Sequence, residues 1–387
     1  MTQQQSVPPR HSQRYVSEPH PFFDFSSPPR SPPFPRNDRL LSQHTIDSCL
    51  HFFFDNMYTT APIFNRQKLT DLIAAQNATS SEVYCLTAAL CAFVMVQPGM
   101  TLAGQPSKSC DGEAPQSRYG FANLLLEDAL RVRKGLDYVA SPSLVCVQTS
   151  FFLFGSYFTL EKQNACWFHL REAATLAQIM SMHEEATYLA GDPQENIYKR
   201  RTYWLLLATE RAYALERHRP LSLHATIQLP IAQGAEEEDV ISGFLHLISL
   251  FRCIDDEFMA LWNKAKRDCS PAWLSQLQRQ LLDALPPEIR TTDNQAADIR
   301  VTLHWLRIMV WQLSITSGCL SSSSPDSSMT FKYPIEVAKD LILDISKLSL
   351  PAMEVHGVGL VCFITHFLQE FLAERSRLRS FSTWHAR

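Results

Sequence analysis

The chain has 387 residues, 45% hydrophobic and only 19% charged, against the roughly 25% charge of an average globular protein. That composition requires a large buried interior and excludes disorder of the whole chain. A formal net charge of −4 excludes a global basic field that would draw nucleic acid or an acidic membrane. Ten cysteines form no Cys-x-x-Cys pair and mostly sit in apolar runs, where a free thiol acts as a small hydrophobe. With no secretory hydrophobic region at the N-terminus, a reducing compartment is expected, cytosol or nucleus.

In chain order, residues 1–38 stand apart, with nine prolines between Pro8 and Pro35 among serines and arginines. Such a Pro-rich N-terminal segment favours polyproline II and buries too little surface to fold, so it is expected to be disordered. From residue 39 every strong signal is helical. Ile46, Leu50, Phe53, Phe54 and Met57 form a stripe that stops before Ala61-Pro62. Val83–Val96 is apolar nearly all round, as in a central helix. Gln97–Arg118 reads as a loop. Tyr119–Lys134 resumes as a helix whose Arg131, Arg133 and Lys134 suit the negative end of its dipole. The long uncharged windows Val83–Ser107 and Tyr138–Leu160 are interrupted by Pro98 and Pro142, short of the roughly 20 residues a membrane span needs. Buried core helices are expected there.

A pair of helices follows, and the array is expected to pack around it. In the first, Trp167, Leu170, Ala174 and Ala177 share a face, and the alanines admit a close neighbour. The second carries Tyr203, Leu206 and Leu207 inward and must end near His218, because Arg219 precedes Pro220. Glu210 lies one turn after Leu206, so its carboxylate needs a cation, with Arg211, Arg217 and Arg219 in reach. An ion pair tying the helix to the next loop is preferred over catalysis. After an acidic loop, Ile241, Phe244, Ile248, Phe251, Phe258 and Trp262 mark one long helix. Trp273–Leu285, Ile299–Leu320, Ile335–Leu350 and Val355–Leu372 complete the set, with a Ser-rich break at 321–330. No strand alternation or hairpin signal occurs. The expected fold is all-α, an irregular multi-helix array: one domain over 39–320, with helices of 331–387 packing on it and ending in a basic tail.

The same residues carry a resemblance. Trp167, Arg171, Ala174, Ala177, Met182 and His183, followed by Tyr203, Trp204, Leu206, Glu210, Arg211, Ala214, Leu215, Arg219 and Pro220, resemble the middle homology region of fungal transcription factors. These are the regulators whose DNA-binding part is a six-cysteine binuclear zinc cluster, and the likeness is to the branch of starch- and maltose-utilisation activators. CLHFFFDNMYTTAPIF at Cys49–Phe64, WLRIMVWQLSI at Trp305–Ile315 and HGVGL at His356–Leu360 extend it along the chain. The resemblance implies the regulatory domain of a nuclear transcriptional regulator of a metabolic gene set, either sugar utilisation or a secondary-metabolite cluster. It also implies that Trp167, Arg171, Glu210, Arg211, Arg219 and Pro220 are family-signature residues, structural or inducer-responsive, with a pocket beside them. Expected partners are other transcription regulators or coactivators, a small-molecule inducer, and a second copy of the chain. No membrane partner is expected.

The chain departs from these relatives where they touch DNA. No Cys-x-x-Cys-x6-Cys half is present, so zinc is expected only with an N-terminal cluster missing from this reading frame, and DNA only through it or through another protein. Lys199-Arg200-Arg201 and the set Arg375, Arg377 and Arg379 read as solvated helix ends. The alternative function is a helical scaffold or co-regulator acting by contact, which predicts no deep cavity, whereas ligand gating needs a few hundred Å3. A terpene-synthase-like enzyme ranks lower: Asp255-Asp256-Glu257 lacks its completing carboxylate, since Met259 stands there. His183-Glu184-Glu185 likewise lacks a second His, with Thr187 in its place. No catalytic residue, cofactor or metal ligand is expected in this chain.

Overall fold

A computed structural model describes residues 40–101, 118–286 and 288–349. The Pro-rich segment 1–38, the expected helix Val355–Leu372 with its HGVGL run, and the Arg375, Arg377, Arg379 set lie outside them. The described residues form twelve α-helices and no strand: α1 (Gln43–Phe52), α2 (Arg66–Gln76), α3 (Ser81–Met95), α4 (Arg118–Arg133), α5 (Leu144–Thr159), α6 (Gln163–Ile179), α7 (Pro193–Arg217), α8 (Glu238–Arg252), α9 (Asp256–Trp262), α10 (Pro271–Asp283), α11 (Asp293–Thr316) and α12 (Tyr333–Ile345). The all-α class expected from the sequence is the one observed.

Local chemistry sets most boundaries. Ser42, Ser80, Ser143 and Thr292 cap α1, α3, α5 and α11 by accepting a backbone N–H three residues on. Asp192 does the same for α7, with Pro193 at the first helical position, so this helix starts six residues before Lys199, where its apolar pattern begins. At the other end His218 takes the left-handed conformation (φ 51°) and Arg219-Pro220 leaves the helix. The long helix expected over Ile241–Trp262 is two. It breaks at Cys253–Asp255, where Arg211 Nε takes up the carbonyl of Ile254 at 2.8 Å and Asp255 caps α9 through Phe258 N–H.

Two hydrophobic cores result. The first is built by α1–α6 with the nearly all-buried α3 at its centre, and it takes Tyr203, Trp204 and Leu206 from α7 and Phe244 and Ile248 from α8. The second gathers α9–α12 around α11, with Ala208, Ala214 and Leu215 from α7 and Leu250 and Phe251 from α8. Helix α6 packs mainly along α5 rather than forming a central pair. It is α7, together with α8, that reaches both cores. The Ser-rich segment is a turn that delivers buried Met329 to the second core.

Arg200 and Arg201, expected at a solvated helix end, are paired with carboxylates instead, and Arg133 does end α4 as expected but turns inward. Arg133 is buried, bonding Ser150 Oγ at 2.7 Å and pairing with Glu172 at 3.3 Å. Burial pushes the Glu172 carboxyl up, but its bonds from His169 and Tyr138 and the charge of Arg133 outweigh it and hold the group at about 2. Arg201 is fully buried against Glu237 at 2.6 Å, and Arg200 pairs with Glu185 at 2.7 Å. The Lys199-Arg200-Arg201 triplet is therefore neutralised: Lys199 also meets Glu195.

Candidate functional site

Glu210 lies on the face of α7 turned towards α6, with its side chain fully buried. Its cation is Arg171 of α6, at 3.0 Å, and not Arg211, Arg217 or Arg219. The carboxylate also accepts the backbone N–H groups of Ser222 and Leu223 at 3.0 and 2.8 Å and the Ser222 hydroxyl at 2.5 Å. Burying this charge is tolerable because every lone pair is met. Arg211, one residue on, also reaches the Leu223 carbonyl and donates as well to that of Ile254. Burial pulls its guanidinium below the usual range, and the charge of Glu210 opposes that shift.

These contacts strap an extended segment over α6 and α7. Tyr203 and Trp204 of α7 donate to the carbonyls of His224 and Gln228, and Gln178 of α6 to that of Ser222. Pro220 opens the segment where α7 has ended. Beside it, Trp167 stacks on Tyr213 with ring centroids 5.6 Å apart and planes 8° from parallel. The guanidinium carbons of Arg171 and Arg219 lie 5.6 and 5.4 Å from the Trp167 ring centre. The structure thus brings Trp167, Arg171, Glu210, Arg219 and Pro220 around one end of the strap, with Arg211 on its inner side.

A cavity of about 260 Å3 opens on the adjoining face of α7, at the seam between the cores. None of the six signature residues lines it; Tyr213 and Glu216 do. Helix α7 presents Leu205, Ala208, Thr209, Ala212, Tyr213 and Glu216 at helical spacing, one continuous face. Opposite, α5 presents Phe151, Phe154, Gly155 and Phe158. The remaining walls come from α3, α8, α11 and the π-helical turn Phe53–Met57 that ends α1. Burial, with the Cys166 thiol beside it, pushes the Tyr213 phenol up to about 12, so it stays a neutral hydrogen-bonding group. The sequence carries a signal for this site: small residues on both faces, Gly155, Ala208 and Ala212, recur where aromatic neighbours would otherwise fill the space.

In the acidic triplet Asp255 caps α9, Asp256 lies 3.1 Å from His224 and Glu257 2.6 Å from Lys266. Among the described residues no group of three or more His, Cys, Asp or Glu side chains converges as metal ligands. None of the eight described cysteines is in a disulfide. No helix among the described residues is long and apolar enough to cross a membrane.

Fold and site together define, among the described residues, an all-helical body of two cores that share α7 and α8, with a strapped signature cluster on one side and an apolar cavity on the other. The chain belongs to the family of the fungal specific transcription factor domain, whose model matches residues 50–279. It is 27% identical to the probable sucrose utilization protein of Candida albicans over 238 residues, 60% of this chain and 47% of that protein. It is 25% identical to a maltose fermentation regulatory protein of Saccharomyces cerevisiae over 319 residues, 81% of this chain and 64% of that one. A respiratory transcription factor of the same yeast is 23% identical over 329 residues, 81% and 66% of the two chains. The chain therefore spans about half to two thirds of the length of the curated relatives it matches. No solved structure matches it significantly.

Proposed function

We propose that this chain is the regulatory domain of a nuclear transcription regulator of a metabolic gene set, sugar utilisation first and a secondary-metabolite cluster second. The family match across α1–α10 carries this reading, and the names of relatives that regulate maltose and sucrose use support the choice of pathway. The domain works as a relay. A small molecule or a partner regulator biases the packing of the two cores, and the signature cluster, with the strap it holds, transmits the shift. A seam cavity of about 260 Å3 favours the ligand-gated version over a scaffold acting by contact alone. Within these 387 residues there is no Cys-x-x-Cys pair, so DNA contact is assigned to another segment or to a partner protein.

The test is a fusion of the full chain to a heterologous DNA-binding domain, with a matched reporter, in yeast grown on glucose, maltose or sucrose. Reporter output should differ at least about threefold from that of the DNA-binding domain alone on one of these carbon sources. A reporter indifferent to the fused chain on all three, together with exclusion of the fluorescently tagged chain from the nucleus, would reject the reading.

A further inference from the structure

The chemistry of the seam cavity narrows what can occupy it. No Lys, Arg or His lines it, while Glu216 and Asp298 do. Glu216 is already paired with Arg217 at 3.0 Å, and an anionic ligand, such as a sugar phosphate or a carboxylic acid, would find no counter-charge among the lining side chains. The walls are dominated by aromatic and small apolar side chains. Much of the polar lining already has a partner on its own helix. Asn56 Nδ2 donates to the carbonyl of Phe52, Gln97 Nε2 to that of Phe93, and the Thr159 hydroxyl to that of Gly155. A disaccharide, with a hydroxyl on nearly every carbon, would leave many of those hydroxyls unbonded when buried here.

Two further features show the space to be built rather than left over. Gly155 sits inside α5, where glycine weakens a helix, and a Cβ there would come within 2.6 Å of the Phe93 ring. The glycine is what lets that ring lie across the helix and form the wall. A π-helical turn supplies Asn56 and Met57 on the other side, a rare geometry that recurs at functional sites.

We propose that this cavity binds an uncharged, predominantly apolar small molecule of which about ten non-hydrogen atoms are enclosed, scaling from benzene in a cavity of about 150 Å3 to this one of about 260 Å3. Bound there, it touches Phe151 and Phe154 of the first core and Ala208 and Phe251 of the second, and so fixes how the two pack. The regulatory consequence rests on the function proposed above; the binding does not.

The experiment uses the purified 387-residue chain and N-phenyl-1-naphthylamine, a neutral fluorophore whose naphthyl ring is of that size and whose phenyl group can project from the open side of the cavity. Its emission should rise saturably with one equivalent bound. Ala212→Phe fills the cavity from α7 and should weaken binding at least about tenfold while the chain stays folded by circular dichroism. Ala212→Leu adds less volume and serves if the larger ring prevents folding. Maltose in large excess should leave the bound probe in place. Absence of saturable binding, unchanged binding in the folded filled variants, or displacement by maltose each overturns the proposal. None of these readouts involves transcription, so a silent reporter and a failed binding assay are separate results.

Discussion

At the scale of single residues, the Glu210 carboxylate shows why one acidic side chain can be buried and its neighbours not. It has four donors: Arg171, two strap amides and the Ser222 hydroxyl. These donors are unequal. Arg171 is about a third exposed (35%), so its charge is partly screened, whereas the amides have no comparable alternative acceptor once the carboxylate is gone. Arg171→Met should therefore cost only about 1 kcal/mol, and Glu210→Ala about 3 kcal/mol or more. Urea denaturation midpoints of the two variants decide it. Equal losses would mean that the ion pair, not the strap, is what the carboxylate serves.

At the scale of elements, the contact between α8 and α11 turns on Gly243. A Cβ there would lie 2.5 Å from the Gln295 side chain. That amide donates to the carbonyls of Thr59 and Val240 at 2.7 and 2.8 Å, tying α11 both to α8 and to the turn after α1. On helix propensity alone, Gly243→Ala should stabilise by about 1 kcal/mol. Displacing Gln295 should reverse the sign and leave a net loss of about 1–3 kcal/mol, read as a lower melting temperature. A higher one would show that the amide relocates freely. Helix periodicity made α3, α6, α10 and α11 legible from sequence because their apolar stripes are long and uninterrupted. Helix α2 is hard to see in the sequence, since it is short and only Leu69 and Ile73 of it are buried, with charged and polar residues filling most of its first two turns. The break between α8 and α9 was invisible because Phe251 and Phe258 keep the helical period across it; what breaks it is Arg211, more than forty residues earlier in the chain. The burial of Arg133 and Arg201 was hidden for the same reason. Their carboxylates, Glu172 and Glu237, come from other helices, and pattern along one segment carries no information about a partner on another. For the signature cluster, sequence placed the residues on the correct helices but could not choose among the cations available to Glu210.

At the scale of the whole molecule, the question is whether two cores behave as one body. Helix α7 runs unbroken from Pro193 to Arg217, with its middle in the first core and its last turns in the second. Losing the second core alone would strip cover from Ala208, Ala214 and Leu215 and free Phe251 of α8, while Phe244, one side of the same short helix, stayed packed. Both shared helices would then have to fray in mid-length, against the cooperativity of helix formation. The cores should therefore open together. Leu306→Ala, a fully buried substitution in α11, should cost about 2–5 kcal/mol and should lower hydrogen-exchange protection in α3, at the heart of the other core, by a comparable amount. If α11 loses protection while α3 keeps it, the cores are independent and a molecule seated between them has nothing to relay. Equal loss in both is the condition under which a ligand touching a few side chains at the seam can move the equilibrium of the whole domain.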